Sequence, residues 1–148
     1  MAILTIDSVV SEWKKDSVIN DTNVQGELFK TPNLHSKFLE YYVFFKARLS
    51  SAEKKYNRMA YLRKRYYRGE LTKQELDANG WDQFQGLKKS GSDLENSIKT
   101  DLIMLDLKEI VDMCETSVST CQEILKSIQN RGWLLKTIVE HQKFLSGG

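Results

Sequence analysis

The sequence contains little of what loops, disulfides and metal sites require. Its 148 residues include one proline, eight glycines, two cysteines and two histidines. So few prolines and glycines argue against a disordered chain, and the length suits a single domain over 1–148. No apolar run approaches the roughly 20 residues that span a bilayer. Residues 1–15 lack the basic start and long apolar core of a signal peptide. The sequence therefore predicts no membrane partner.

The cysteines and histidines form no recognisable reactive or metal-binding pattern. Cys114 and Cys121 lie seven residues apart in a predicted helix, and side chains two turns apart on one helix are too distant for a disulfide. His35 and His141 complete no HExxH motif, and the sequence has neither a GxxxxGK[ST] nor a GxGxxG loop. We therefore expect no metal, no cofactor and no enzymatic activity, and a reducing cytoplasm.

Helical periodicity dominates the first half of the chain. A short amphipathic helix is predicted over 6–16, and a long one over 32–68, with Thr31 as its N-cap and Pro32 as its first residue. Gly69 is a suitable stop for the long helix. Apolar residues recur along it at intervals of three and four, and the series then continues as Arg63 and Tyr66. Its apolar members are Phe38, Tyr42, Phe45, Leu49, Ala52, Tyr56 and Met59.

The second half predicts a connector and another long helix. Within the connector, 69–91, a capping box at 72–75 and the pair Asn79-Gly80 bound a short helix. A second capping box at 92–95 opens the long helix, and residues 130–132 are expected to bend or end it before a last amphipathic helix over 133–145. No alternating strand pattern is present. The fold class is therefore predicted to be all-α, in segments 1–68, 69–91 and 92–148.

A heptad pattern in the second long helix predicts self-assembly. Its positions alternate by four and three over three heptads, as in a helix that packs along another helix. Helices of 35 or more residues exceed the diameter of about 35–40 Å expected for a compact domain of this size. We therefore expect a homo-oligomer. The residues assigned to oligomerisation are Leu107, Val111, Cys114, Val118, Cys121, Leu125, Ile128, Trp133, Leu134 and Ile138.

Positive charge is concentrated at 46–68. This window carries nine lysines and arginines, one acid and four tyrosines, hence +8 against +2 for the whole chain. Positions 54, 58, 61, 65 and 68 follow each other at intervals of four, three, four and three, so they share one helix face. The candidate nucleic-acid-binding residues on and beside this face are Lys54, Lys55, Arg58, Tyr61, Arg63, Lys64, Arg65, Tyr67 and Arg68.

Cations at this spacing can neutralise successive phosphates, and tyrosine rings can stack on unpaired bases. Since a duplex hides the faces of its bases, the combination favours single-stranded nucleic acid. Two alternatives stay open. One is an anionic membrane surface. The other is a coiled-coil scaffold protein whose basic helix docks on an acidic partner, such as the stretch 92–123 of a neighbouring subunit, which carries eight acids and two lysines.

The order of these features resembles the UvsY family of phage recombination mediator proteins. The similarity runs over roughly residues 6–146 and depends on order and spacing more than on any single motif. The matching pieces are Lys14-Lys15-Asp16, Val18-Ile19, Asp21-Thr22, the helix opening Leu34 to Leu39, the run Tyr66-Tyr67-Arg68-Gly69, then Ser127-Ile128, Arg131-Gly132 and the closing helix through Phe144.

The resemblance implies a function. Members of this family bind single-stranded DNA and form ring-like homo-oligomers, here a ring or helical barrel. They help load the phage RecA-like recombinase onto DNA covered by the phage single-strand-binding protein, which places this chain in the cytoplasm of an infected bacterium. The basic segment before the Tyr-Tyr-x-Gly turn is implicated in DNA binding, and the C-terminal helix is linked with oligomerisation. Changing Arg63, Lys64 and Arg65 to alanine is therefore expected to weaken DNA binding while leaving helicity and assembly intact.

Overall fold

The computed structural model describes residues 3–147, which form five α-helices and no strand. The predicted all-α class is therefore confirmed for this part of the chain. None of the described helices is long and apolar enough to cross a membrane. The helices are α1 (Ile6–Asp16), α2 (Val24–Tyr67), α3 (Lys73–Asn79), α4 (Gly91–Thr100) and α5 (Leu102–Leu145).

The chain divides into two compact units. Unit 1 comprises Met1–Ala47 and Glu115–Gly148, and unit 2 comprises Arg48–Cys114. The long helices α2 and α5 each contribute one part to each unit. The division between the units therefore falls inside these two helices.

The short helices follow their local signals. Helix α1 has the predicted bounds and begins with a reciprocal capping box between Thr5 and Ser8. Helix α3 begins with the predicted capping box between Thr72 and Glu75 and ends at Gly80, whose φ of 69° is left-handed. A left-handed residue costs glycine little and other residues more, so Gly80 stops this helix at low strain.

The predicted start of α2 at Thr31-Pro32 is wrong, because the helix begins at Val24 and runs through Pro32. The side-chain oxygen of Asn23 accepts a hydrogen bond from the N–H of Gly26 at 3.1 Å, which caps the first turn. Val24 and Glu27 are buried. Burial of this first turn therefore accounts for a proline inside a helix, where it removes one backbone hydrogen bond.

The predictions for α5 also need correction at both ends. A single helix from Ser92 is wrong, since Asp101 is extended, with ψ of 126°, and separates α4 from α5. The cap of α4 is Ser90, so the capping box at 92–95 does not form. The helix also continues through Gly132, where a Cβ atom would lie 3.2 Å from the Thr31 Cγ2. This glycine permits close packing of α2 and α5 within unit 1 and does not break the helix.

Unit 1 packs around aromatic and aliphatic side chains from α1, α2 and α5. Phe38 is fully buried and meets the Trp13 ring edge-on at 5.5 Å between centroids. A buried ion pair joins the helices at 2.6 Å, from Arg131 Nη2 to Glu27 Oε2. The Glu27 carboxylate and the Arg131 guanidinium are almost inaccessible to water. Removal of either group would therefore leave the other as an uncompensated buried charge. The core also contains Val9, Phe45, Val118, Cys121, Ile124, Ile128 and Leu135.

The heptad residues of α5 build the interior of a single chain. Val111 is buried in unit 2, and Val118, Cys121 and Ile128 are buried in unit 1, whereas Leu107, Cys114, Leu125 and Ile138 are half-buried. Four of the seven heptad residues are thus already buried within one chain, and the assignment of this seam to contacts between copies stays a prediction. Trp133 and Leu134 differ, with 77% and 55% of their surfaces exposed.

Candidate nucleic-acid interface

The second half of α2 presents a basic surface on the side opposite its buried residues. In unit 2 this helix buries Leu49 and Ala52. The interval of three and four residues that places these on one side places Lys54, Arg58 and Arg68 on the other. We call the exposed set the basic face. It comprises the exposed Lys54, Lys55, Arg58, Tyr61 and Arg68 and the half-buried Lys64.

Tyr61 stands in the middle of this face with 67% of its surface exposed. The guanidinium carbon of Arg65 lies 5.8 Å from the centre of its ring, within the range of a cation–π contact. The ring is thereby held beside positive charge with its surface open to solvent. Such a ring can accept an unpaired base by stacking while neighbouring cations meet the phosphates.

Arg63 does not belong to the basic face, although its charge suggested that it would. Its Nε and Nη2 donate hydrogen bonds to Asp101 Oδ2 at 2.9 and 2.6 Å. Its guanidinium carbon lies 4.3 Å from the centre of the Tyr66 ring and 4.6 Å from that of Trp81. Both charged partners are buried. Arg63 therefore holds α2 to Asp101, the residue that precedes α5, and its charge is neutralised inside the protein.

Asp101 organises this buried cluster. Besides Arg63, its Oδ2 accepts the Tyr67 hydroxyl at 2.6 Å, and its Oδ1 accepts the N–H of Met104 at 3.0 Å, which caps α5. Burial acts to raise the pKa of Asp101, but the hydrogen bonds from Tyr67, Arg63 and Met104 outweigh it, and the pKa lies below its ordinary value. The carboxylate is therefore charged at neutral pH. Tyr67 is consequently engaged through its hydroxyl and is not an open stacking platform.

Arg65 is also paired, at the edge of the basic face. Its two terminal nitrogens donate to the two oxygens of Glu75 at 2.6 and 3.0 Å. The Arg65 hydrogen bond, followed by that from the Thr72 N–H, lowers the pKa of Glu75 to about 2. Glu75 thus serves both the capping box of α3 and the ion pair that anchors this helix to α2. The formal charge of Arg65 is neutralised locally, which leaves less of it for a polyanion.

The connector completes the cluster around the end of α2. The N–H of Lys89 donates to the carbonyl of Tyr67 at 3.0 Å. Phe84 lies 5.2 Å from the Tyr67 ring and 5.6 Å from the Tyr66 ring, measured between centroids. The contacts of the whole cluster join residues that lie up to 38 positions apart in sequence, as Arg63 and Asp101 do. One local signal did point to them, since Arg63 and Tyr66 continue the apolar series of α2.

The structure thus divides the nine sequence-predicted binding residues. Six of them form the basic face, while Arg63, Arg65 and Tyr67 are engaged by carboxylates of unit 2. Over residues 3–147, no group of three or more histidine, cysteine, aspartate or glutamate side chains is arranged to hold a metal ion. The chemistry that the site offers is that of cations and one open aromatic ring.

The chain is similar to known proteins in sequence and in fold. The family model described as "Recombination, repair and ssDNA binding protein UvsY" matches residues 12–148. No curated protein sequence matches the chain.

Solved structures of the recombination mediator protein UvsY of bacteriophage T4 share the fold. Its lattice type II crystal structure is 22% identical in sequence and superposes with a TM-score of 0.84, covering 97% of this chain and 99% of that one. The lattice type IV structure gives 21% identity and a TM-score of 0.82, with coverage of 95% and 99%. The lattice type I structure gives 23% identity and a TM-score of 0.80, with coverage of 93% and 98%. Because the family model matches nearly the whole sequence, the chain belongs to the UvsY family.

Proposed function

We propose that the protein binds single-stranded DNA through the basic face and acts as a recombination mediator. In this role it helps load a RecA-like recombinase onto DNA coated by a single-strand-binding protein, in the cytoplasm of a phage-infected bacterium. The observation that carries the proposal is the exposed row of Lys54, Arg58 and Arg68 around the open ring of Tyr61. The description of the family and the T4 relatives supports the same role.

The basic face supports single-stranded DNA over duplex for a physical reason. Its cations can neutralise phosphates of either form and release their condensed counterions. The Tyr61 ring adds stacking of about 1–3 kcal/mol only where a base face is free. Five of the six residues of this face are cations, so the face attracts a polyanion.

Binding to oligonucleotides should therefore fall steeply as salt is raised, and single strands should bind more tightly than duplex of the same length. Fluorescence anisotropy over a salt series measures both. Tyr61→Ala should cost on the order of tenfold in single-strand affinity and little in duplex affinity, whereas Tyr61→Phe, which keeps the ring, should bind like the parent. Equal affinity for single strands and duplex, or a salt-independent affinity, would contradict the proposal.

We propose further that the protein acts as a homo-oligomer, in a ring. The support is an exposed apolar surface on the last part of α5, where Trp133, Leu134, Phe144 and Leu145 are 77%, 55%, 79% and 70% exposed. Exposed apolar side chains in such number indicate a protein contact. Several copies of a weak basic face would then bind one strand together, which raises the overall affinity.

Changing Trp133 and Leu134 together to serine should yield smaller species in sedimentation velocity, because the contact loses its largest apolar groups. Raising the salt to about 1 M should leave the parent assembly intact, since apolar contacts are not screened. The alternative assembly, in which the basic helix docks on an acidic helix of a neighbour, gives the opposite pair of results: dissociation in salt and indifference to the serine variant.

A further inference from the structure

A second feature of unit 2 borders the basic face. Helices α2 and α5 leave between them an open groove of about 160 Å³. Its apolar lining is provided by Ala52 from α2 and by Leu107, Ile110 and Cys114 from α5. Two cations, Arg48 and Lys55, line it from the α2 side. None of the sequence patterns considered above predicted such a groove, since its two walls lie more than 50 positions apart in the chain.

Lys55 connects the groove to the basic face. It is exposed, lines the groove and lies directly beside Lys54 in sequence. Arg58 follows one helical turn later on the exposed side of α2. A polyanion that lies along Lys54 and Arg58 therefore passes the mouth of the groove.

We propose that this groove is a subsite for one unpaired nucleotide of the bound strand. The base packs on the apolar floor of Leu107, Ile110 and Cys114, and a phosphate meets Lys55 at the rim. The proposal rests on the proposed single-strand binding and adds a defined position for one nucleotide. It gives the part of α5 that lies in unit 2 a role in DNA binding, which the acidic composition of this part did not suggest.

The size and charge of the groove select this occupant. Its volume of about 160 Å³ is well below the roughly 300–1,000 Å³ of sites for drug-sized ligands. It is thus suited to a single flat group and not to a large cofactor. A nucleotide supplies an apolar face for the floor and an anion for Lys55 in one unit, whereas an apolar protein segment supplies only the first.

Cys114 provides a reporter inside the groove. Cys114 and Cys121 are both free thiols, but Cys121 is fully buried, and burial raises its pKa. Since the thiolate is the reactive form, maleimide should label Cys114 in the folded protein far faster than Cys121. Labelling of the full-length protein is then measured at one protein concentration with and without oligothymidylate. With nine-tenths of the sites occupied, Cys114 should react about tenfold more slowly, because only the free fraction is accessible.

A matched pair of charge variants tests the same position by affinity. Ile110→Glu places a carboxylate in the groove, and Leu105→Glu places one on the same helix outside it. The two parent side chains are similarly exposed, at 50% and 46%. Ile110→Glu should weaken single-strand binding on the order of tenfold, because a negative charge would face the phosphate. Leu105→Glu should stay within about twofold of the parent.

The outcomes separate this proposal from the proposed function. Single-strand binding without protection of Cys114, or with equal effects of the two glutamates, overturns the groove and leaves the basic face standing. A Cys114 that does not react in the free protein also overturns it, since the groove would then be closed. Failure of the parent protein to bind single-stranded DNA at all overturns both.

Discussion

Replacing Arg63 with alanine should destabilise the protein by about 3–5 kcal/mol, the cost of breaking a buried ion pair by removing one partner. The variant leaves the Asp101 carboxylate buried without its guanidinium and opens a space beside the contacting Tyr66 and Trp81 rings. For a chain of this length, such a loss corresponds to a fall in unfolding temperature on the order of 10 °C. Thermal unfolding followed by circular dichroism and by tryptophan fluorescence measures it.

The control is Arg58→Ala, which removes the same type of side chain from the exposed side of the same helix. Its unfolding temperature should match that of the parent within about 2 °C, since exposed charges contribute little to stability. Similar unfolding temperatures for the two variants would show that the Arg63 pair is not a stabilising contact. A loss of DNA binding in Arg63→Ala must accordingly be measured on the folded fraction before it is attributed to contact with DNA.

Removing three cations of the basic face should weaken DNA binding and leave the stability of the fold unchanged, unlike the Arg63→Ala change. The change is Lys54, Arg58 and Arg68 to alanine, all three being exposed. If each neutralises one phosphate, the slope of log affinity against log salt should become shallower by about 2, at roughly 0.7 per phosphate for single strands. Affinity near physiological salt should fall by at least about tenfold. Anisotropy over a salt series and a thermal melt provide the two readings.

The matched control removes the same charge elsewhere. Lys14, Lys136 and Lys143 are exposed lysines of unit 1, so their change to alanine lowers the net charge by the same three units. Their variant should keep the parent salt slope. If both triple variants lose affinity equally, net charge and not the basic face would govern binding.

The sequence was sufficient where structure depends on neighbours in the chain. The capping box at Thr72 and Glu75 and the left-handed stop at Gly80 are local, and both form as predicted. Pro32 and Gly132 were misjudged because tertiary contacts override their intrinsic preferences. A helix that buries its first turn tolerates an exposed proline. Likewise, Gly132 allows close packing against Thr31 and does not end the helix.

The candidate site divides along the same line. Charge and periodicity correctly placed Lys54 and Arg58 on an exposed helix face. They could not distinguish Arg63 or Arg65 from these residues, since the carboxylates that engage them belong to Asp101 and Glu75 in other elements. The proposed alanine change of 63, 64 and 65 is therefore a poor test of DNA contact, because two of the three residues anchor the fold. The membership of Arg63 in an otherwise apolar series was the only local sign of its burial.

The Glu27–Arg131 pair has a consequence for synthesis on the ribosome. Its two members are separated by 104 positions, and they join the two chain segments of which unit 1 is made. Unit 2, by contrast, is one uninterrupted stretch between those segments. Until Arg131 is added to the nascent chain, Glu27 in the early part of unit 1 lacks its ionic partner, although every residue of unit 2 has already been translated. Unit 2 is thus complete in sequence before unit 1 is, although unit 1 supplies residues on both sides of it.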